Sequence, residues 1–250
     1  MDLSGNLLVV NFKTYDESTG DNALELLRVC DRVASESGVA IVAVPSLLDL
    51  ERCCRTAADE GLNEVVIFAQ HVDPSFREGK LGNNTGRILA AKLKELGVQG
   101  SLLNHSERKL TRRAGNDMDV SEIQARVSAL KAEGLKSIVC CGWEAQDLTI
   151  KEGKLIAASN PDYIAVEPPE MIGGDVSVTT KPELITGFVK AIMDVDRDIK
   201  VLTGAGVKNG EHAAKAIELG TKGVLVASGI VKPKDGAQEE ALTEMAGGLK

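Results

Sequence analysis

The chain has 250 residues, 43% of them hydrophobic and 26% charged, with a formal net charge of −8. That composition is the one of an ordinary globular protein and excludes a disordered or fibrous chain, and the length suits one large core. The acidic balance argues against nucleic acid or an anionic membrane as partner, and no apolar run reaches the roughly 18 residues that a membrane span needs.

The first apolar run, Leu7 to Val10, is followed by a helical stripe of Ala23, Leu26, Leu27, Cys30 and Val33. The second run is Val39 to Val44. The third, Val65 to Ala69, precedes a less regular stripe of Ile88, Leu89, Ala91, Leu93 and Leu96. The fourth, Gly100 to Leu103, leads to Ile123, Val127 and Leu130 at helical spacing. After the fifth, Ser137 to Cys141, only about 20 residues remain before the sixth, and Lys151-Glu152-Gly153-Lys154 does not read as a clean helix. The sixth, Tyr163 to Val166, precedes Val189, Ile192 and Met193. The seventh, Ile199 to Leu202, precedes Ala213, Ala216 and Ile217, and the eighth is Gly223 to Ala227. Gly38, Gly97, Gly134 and Gly220 stand where helices should stop.

These runs are continuously apolar rather than alternating, as parallel strands buried on both faces are. Eight consecutive βα units with no linker predict an α/β fold, a (β/α)8 barrel forming a single domain over residues 1–250. The alternative, a doubly wound open sheet, has fewer strands and favours a Gly-x-Gly-x-x-Gly turn after the first, which is missing here. Aromatics are 3% of the chain, so Val, Ile, Leu and Ala must build the core. Five cysteines, at 30, 53, 54, 140 and 141, make a poor disulfide framework and show no zinc-ligand spacing. Core packing in a reducing cytoplasm is the expectation, and no basic-then-apolar leader pattern opens the chain.

Barrel active sites lie at the C-terminal strand ends, so candidate residues are sought there. The first strand ends Asn11-Phe12-Lys13. Alternation puts Asn11 and Lys13 on one face, and an inward lysine needs either a carboxylate partner or an anionic ligand. The fourth ends Asn104-His105-Ser106-Glu107-Arg108. His105 is either a hydrogen-bonded strand-end histidine or an imidazole that can donate to a carbonyl oxygen. His212 reads as a surface residue, and His71 as one that could serve an interface. The sixth ends at Glu167, a candidate base, followed by the two stiffening prolines 168 and 169 and by Gly173-Gly174, which make either a lid or an ordinary loop. After the seventh and eighth strands, Thr203-Gly204-Ala205-Gly206 and Ala227-Ser228-Gly229 are small enough for backbone amides to approach a phosphate. A locally positive mouth would reconcile an anionic ligand with an acidic chain.

Asn11-Phe12-Lys13, Asn104-His105-Ser106-Glu107-Arg108, Val166-Glu167-Pro168-Pro169-Glu170 and Leu225-Val226-Ala227-Ser228-Gly229, in this order, resemble the triosephosphate isomerase family. Gln70-His71-Val72-Asp73-Pro74 and the short stretch between the fifth and sixth strands resemble its compact archaeal branch. The resemblance covers essentially the whole chain and implies the TIM barrel fold. It implies interconversion of dihydroxyacetone phosphate and D-glyceraldehyde 3-phosphate in glycolysis and gluconeogenesis. It also implies Glu167 as the proton carrier, His105 as a neutral electrophile, Lys13 at the phosphate side and Asn11 beside it. The backbone of Ile172, Gly173, Gly206, Ala227 and Ser228 would hold the phosphate, under a lid of residues 168 to 176. It implies no cofactor, no metal and a homo-oligomer, tetramer or dimer. The lid tip reads Gly173-Gly174-Asp175, where many members have Gly-Thr-Gly.

Two other classes of function suit such a barrel, another phosphate-binding enzyme and a non-catalytic phosphate binder. A sugar-phosphate epimerase would want metal ligands at several strand ends, and an aldolase a lysine inside a late strand; the sequence offers neither. A non-catalytic phosphate sensor would be expected to lack Glu167, His105 or Lys13.

Overall fold

The computed structural model describes residues 3–74, 82–115, 117–171, 177–233 and 237–250. Eight parallel strands close into a barrel: β1 (Leu7–Asn11), β2 (Ala40–Val44), β3 (Val65–Ala69), β4 (Gly100–Leu103), β7 (Lys136–Cys141), β8 (Tyr163–Val166), β9 (Lys200–Thr203) and β10 (Gly223–Val226). The order around the barrel is β1-β10-β9-β8-β7-β4-β3-β2, closing back on β1. Helices on the outside carry the chain from strand to strand: α1 (Asp21–Ser37), α2 (Leu50–Glu60), α3 (Ala90–Glu95), α4 (Ser121–Ala132), α5 (Gln146–Ala157), α6 (Pro182–Met193) and α7 (Gly210–Glu218). The short α8 (Ser228–Val231) and then α9 (Gln238–Gly247) follow the last strand. This is the TIM barrel fold.

The strands read as continuously apolar because successive side chains enter two separate cores. Leu7, Val9, Val42, Phe68, Leu102 and Ile138 fill the barrel interior. Leu8, Val10, Ile41, Ile67, Leu103 and Val139 pack outward against the helices. With both faces buried, most positions on either face are apolar, and the polar exceptions Ser101, Ser137 and Thr203 are fully buried too. The α1 stripe Ala23, Leu26, Leu27, Cys30 and Val33 is buried as its spacing predicts. Gly38 ends that helix in a left-handed conformation, its N–H donating to Ala34 O at 2.9 Å. All five cysteines are free and buried. Cys140 faces the barrel interior and Cys141 the outer layer.

The expected stripe from Ile88 to Leu96 is cut short, since α3 begins only at Ala90 and Leu96 is exposed. Two other elements differ from the sequence expectation. The stretch after β7 is a full 12-residue helix, α5. Its pattern is obscured because Glu152 and Gly153 occupy core-facing positions. A Cβ on Gly153 would stand 2.5 Å from Phe188 Cε2, so only glycine lets α5 pack so closely on α6. The second is an antiparallel hairpin, β5 (Arg112–Ala114) with β6 (Asp117–Asp119), between β4 and α4. Its strands are three residues each and largely exposed, too short and polar for periodicity to reveal. Among the described residues no helix is long and apolar enough to cross a membrane.

Candidate active site

The C-terminal strand ends form one mouth. Asn11, the last residue of β1, is 4% exposed, and its Oδ1 accepts the Lys13 N–H at 3.1 Å and the Gln70 side-chain amide at 3.3 Å. Gln70 Nε2 also donates to Lys13 O at 3.2 Å. These bonds hold Lys13 at a φ of 51°, unusual for a residue with a side chain. Its ammonium meets Glu107 Oε1 at 2.9 Å. The carboxylate partner considered from sequence therefore exists, in the cleft where the ligand was expected.

At the end of β4, Asn104 is left-handed, with φ 58°. Simple alternation from Leu102 would aim Asn104 into the barrel. Instead its Oδ1 accepts the N–H groups of Leu110 at 2.6 Å and Thr111 at 3.0 Å, and its Nδ2 donates to Cys140 O at 2.8 Å. His105 then lines the mouth. Its Nδ1 lies 2.7 Å from Glu107 Oε2, close but not aligned as a hydrogen bond. Its Nε2 lies 4.0 Å from Glu167 Oε2. Glu107 thus stands between Lys13 and His105. Burial raises its proton affinity, but Lys13 and His105 outweigh that and hold its carboxyl below the usual value.

Glu167 follows β8, its N–H donating to Cys141 O at 2.8 Å. Its carboxylate is 7% exposed, and Oε2 has no hydrogen-bond partner. Burial pushes this carboxyl above its ordinary value; His105, the Cys140 thiol and Lys13 pull it back only in part. The pairing of Val166 with Thr203 carries Gly204 abreast of Glu167, and a Cβ there would stand 2.5 Å from Oε1. The glycine leaves the room in which the carboxylate lies.

The turns after β9 and β10 meet at the same mouth. Ala205 and Gly206 are left-handed, at φ 66° and 72°, and α8 begins at Ser228. Asn11, Lys13, His105, Glu167, Gly206, Ala227 and Ser228 line one open cleft of about 490 Å³. Ile172, Gly173 and most of the expected lid fall in 172–176, outside the described residues. His71 is buried and bonded to Asp73 at 3.1 Å, and His212 accepts the Lys208 N–H at 3.3 Å. Lys208, which also lines the cleft, was not singled out from sequence, nor were the roles of Glu107 and Gly204. Lys13's need for a partner was the available signal for Glu107. Among the described residues no three His, Cys, Asp or Glu side chains gather as a metal site requires.

A closed parallel barrel with titratable side chains from three strands at its C-terminal mouth has the plan of the (β/α)8-barrel enzymes. The family model for triosephosphate isomerase matches residues 6–245. Triosephosphate isomerase of Methanothermus fervidus is 41% identical over 242 residues, covering 96% of this chain and 98% of its own length. That of Methanocaldococcus jannaschii is 39% identical over 240 residues, with the same coverage. That of Archaeoglobus fulgidus is 39% identical over 242 residues, covering 96% and 97%. The chain belongs to the triosephosphate isomerase family and is an isomerase, similar to the archaeal members.

Proposed function

We propose that the chain interconverts dihydroxyacetone phosphate and D-glyceraldehyde 3-phosphate through an enediolate, in glycolysis and gluconeogenesis. One observation carries the reading: a buried Glu167 whose unpartnered Oε2 lies 4.0 Å from His105 Nε2. A carboxylate is a weak base towards a proton beside a carbonyl. Burial raises its proton affinity, and a donor aimed at the developing oxyanion lowers the barrier further. Glu167 takes the proton from one carbon and returns it to its neighbour. His105 donates to the carbonyl oxygen from Nε2. Lys13 binds the phosphate side and offsets enediolate charge, with Asn11 beside it. Backbone amides at Ile172, Gly173, Gly206, Ala227 and Ser228 hold the phosphate, and residues 168 to 176 close over it. Excluding water protects the intermediate from losing its phosphate. Every step uses side chains and backbone alone, so no metal or organic cofactor is required.

The same reading makes the chain a cytoplasmic homo-oligomer, tetramer or dimer, without nucleic-acid or membrane partners. Free buried thiols suit a reducing compartment. Leu48, 91% exposed beside Leu47 in the loop after β2, supports a second copy covering that loop. The deciding assay is isomerisation of glyceraldehyde 3-phosphate by wild type and by Glu167→Gln. Activity in the wild type with a loss of 10²-fold or more in the variant, on the order of a general base's contribution, is expected. An inactive wild type overturns the reaction, and an unchanged variant removes Glu167 from it.

A further inference from the structure

Glu152 on α5 is fully buried, at 0% exposure, and plays no part in the proton transfer proposed above. A buried carboxylate is costly unless its oxygens are fully engaged. Here they are. Oε2 accepts the backbone N–H of Gly142 at 2.8 Å, and Oε1 the Asn104 side-chain amide at 3.2 Å. Lys109 Nζ lies 2.8 Å from Oε1 and 3.0 Å from Oε2, and also donates to Gly142 O at 3.0 Å. The ammonium rests over the Trp143 ring, 5.0 Å from its centre. All three partners are donors, so an uncharged amide at 152 could not serve them.

The partners of this carboxylate lead to two different strand ends. Asn104 immediately precedes His105 and is the left-handed residue that turns His105 into the mouth. Gly142 follows β7, whose pairing of Cys141 with Val166 carries it alongside Glu167. A Cβ on Gly142 would collide with the Glu167 carbonyl, so the two backbones are in direct contact there. One carboxylate therefore grips the residue behind the electrophile and the turn against which the base rests. Neither hold reaches Lys13 or the turns after β9 and β10.

We propose that Glu152, with Lys109, is a positioning residue for the reaction: it fixes the separation of His105 from Glu167. The inference rests on the isomerase mechanism proposed above. Its consequence is a split. Loosening Glu152 misplaces the two reacting side chains, while Lys13, Gly206, Ala227 and Ser228, which lie on other strands, keep most of the hold on inorganic phosphate.

The test compares wild type, Glu152→Gln, Lys109→Gln and Leu242→Ala in kcat, KM, thermal midpoint and affinity for inorganic phosphate. Leu242 is buried in α9 and lines no part of the cleft, and its truncation supplies a destabilised control. Glu152→Gln is expected to lower kcat on the order of 10- to 100-fold, as a misplacement approaching 1 Å does, with phosphate affinity within about twofold of wild type. Leu242→Ala should lower the thermal midpoint and leave kcat unchanged. Lys109 is partly exposed, so Lys109→Gln reads the same pair of holds even where the buried variant fails to fold, and the same split is expected. An active wild type with unchanged kcat in both variants overturns the positioning role alone. So does a parallel fall of kcat and phosphate affinity, or an equal kcat loss in the control. A wild type without isomerase activity overturns the mechanism itself, and the positioning role with it.

Discussion

Replacing Gly204 by alanine puts one methyl group against the proposed base. The new Cβ would stand 2.5 Å from Glu167 Oε1, 2.8 Å from Cγ and 2.9 Å from Cδ, where ordinary contact begins at 3.4 Å. The nearest gap is 0.9 Å short, and the atoms that must yield are the outer part of the Glu167 side chain. Its carboxylate therefore moves by roughly 1 Å, a displacement that costs on the order of 10²-fold in rate, or about 2.7 kcal/mol of barrier. The backbone is not the source of the loss: Gly204 is outside the left-handed region, and its N–H bond to Val166 O at 3.0 Å is kept. Overpacking costs about 1 kcal/mol where a side chain can swing aside, which lowers the thermal midpoint of a chain this size by about 2–4 °C. Steady-state isomerisation, a thermal melt and a phosphate titration read the three quantities. The expected result is kcat reduced about 100-fold, a small loss of stability and unchanged phosphate affinity. A Gly204→Ala enzyme with kcat within twofold of wild type would refute the placement of the Glu167 carboxylate, or its role.

Glu167 also predicts a pH dependence of stability. Burial raises its carboxyl above the ordinary 4.5, so the folded chain keeps a proton that the unfolded chain has released. The stability this contributes is fully present below pH 4.5 and is lost as pH rises through the folded value. Denaturant melts over a pH series should show wild type falling relative to Glu167→Gln across that window; parallel curves would remove burial as the cause. Lys13→Met removes the ammonium that now meets Glu107 at 2.9 Å. Charge-assisted hydrogen bonds contribute about 1.5–3 kcal/mol, so calorimetric affinity for phosphate should fall roughly 10- to 100-fold, and undiminished binding would place the anion elsewhere. Leu48→Asp should shift the size-exclusion elution of wild type towards a smaller species; wild type eluting as a monomer at micromolar concentration would end the oligomer proposal.

The sequence makes the strands legible because burial on both faces keeps most positions within them apolar. β3, β4 and β8 end where the apolar runs end, and the other strands differ from their runs by a residue at one end or both. α5 was obscured by the same physics working in reverse. Its inward positions hold a carboxylate whose partners sit on other segments and a glycine chosen by Phe188 on α6. Strand-end position was enough to nominate Lys13, His105 and Glu167. It could not supply Glu107's double contact, because β1 and β4 are not neighbours in the barrel and nothing local to either records their approach. Nor does alternation foresee His105's direction, which depends on the left-handed turn at Asn104.

Glu107 has a further consequence. Lys13 already holds a carboxylate of the chain's own. On the proposed reading, an arriving phosphate trades places with an anion rather than filling a vacancy. Dissolved salt weakens both sides of such an exchange, so affinity will vary less with ionic strength than an open lysine pocket would give. An acidic protein thereby keeps its mouth without an uncompensated positive charge at Lys13.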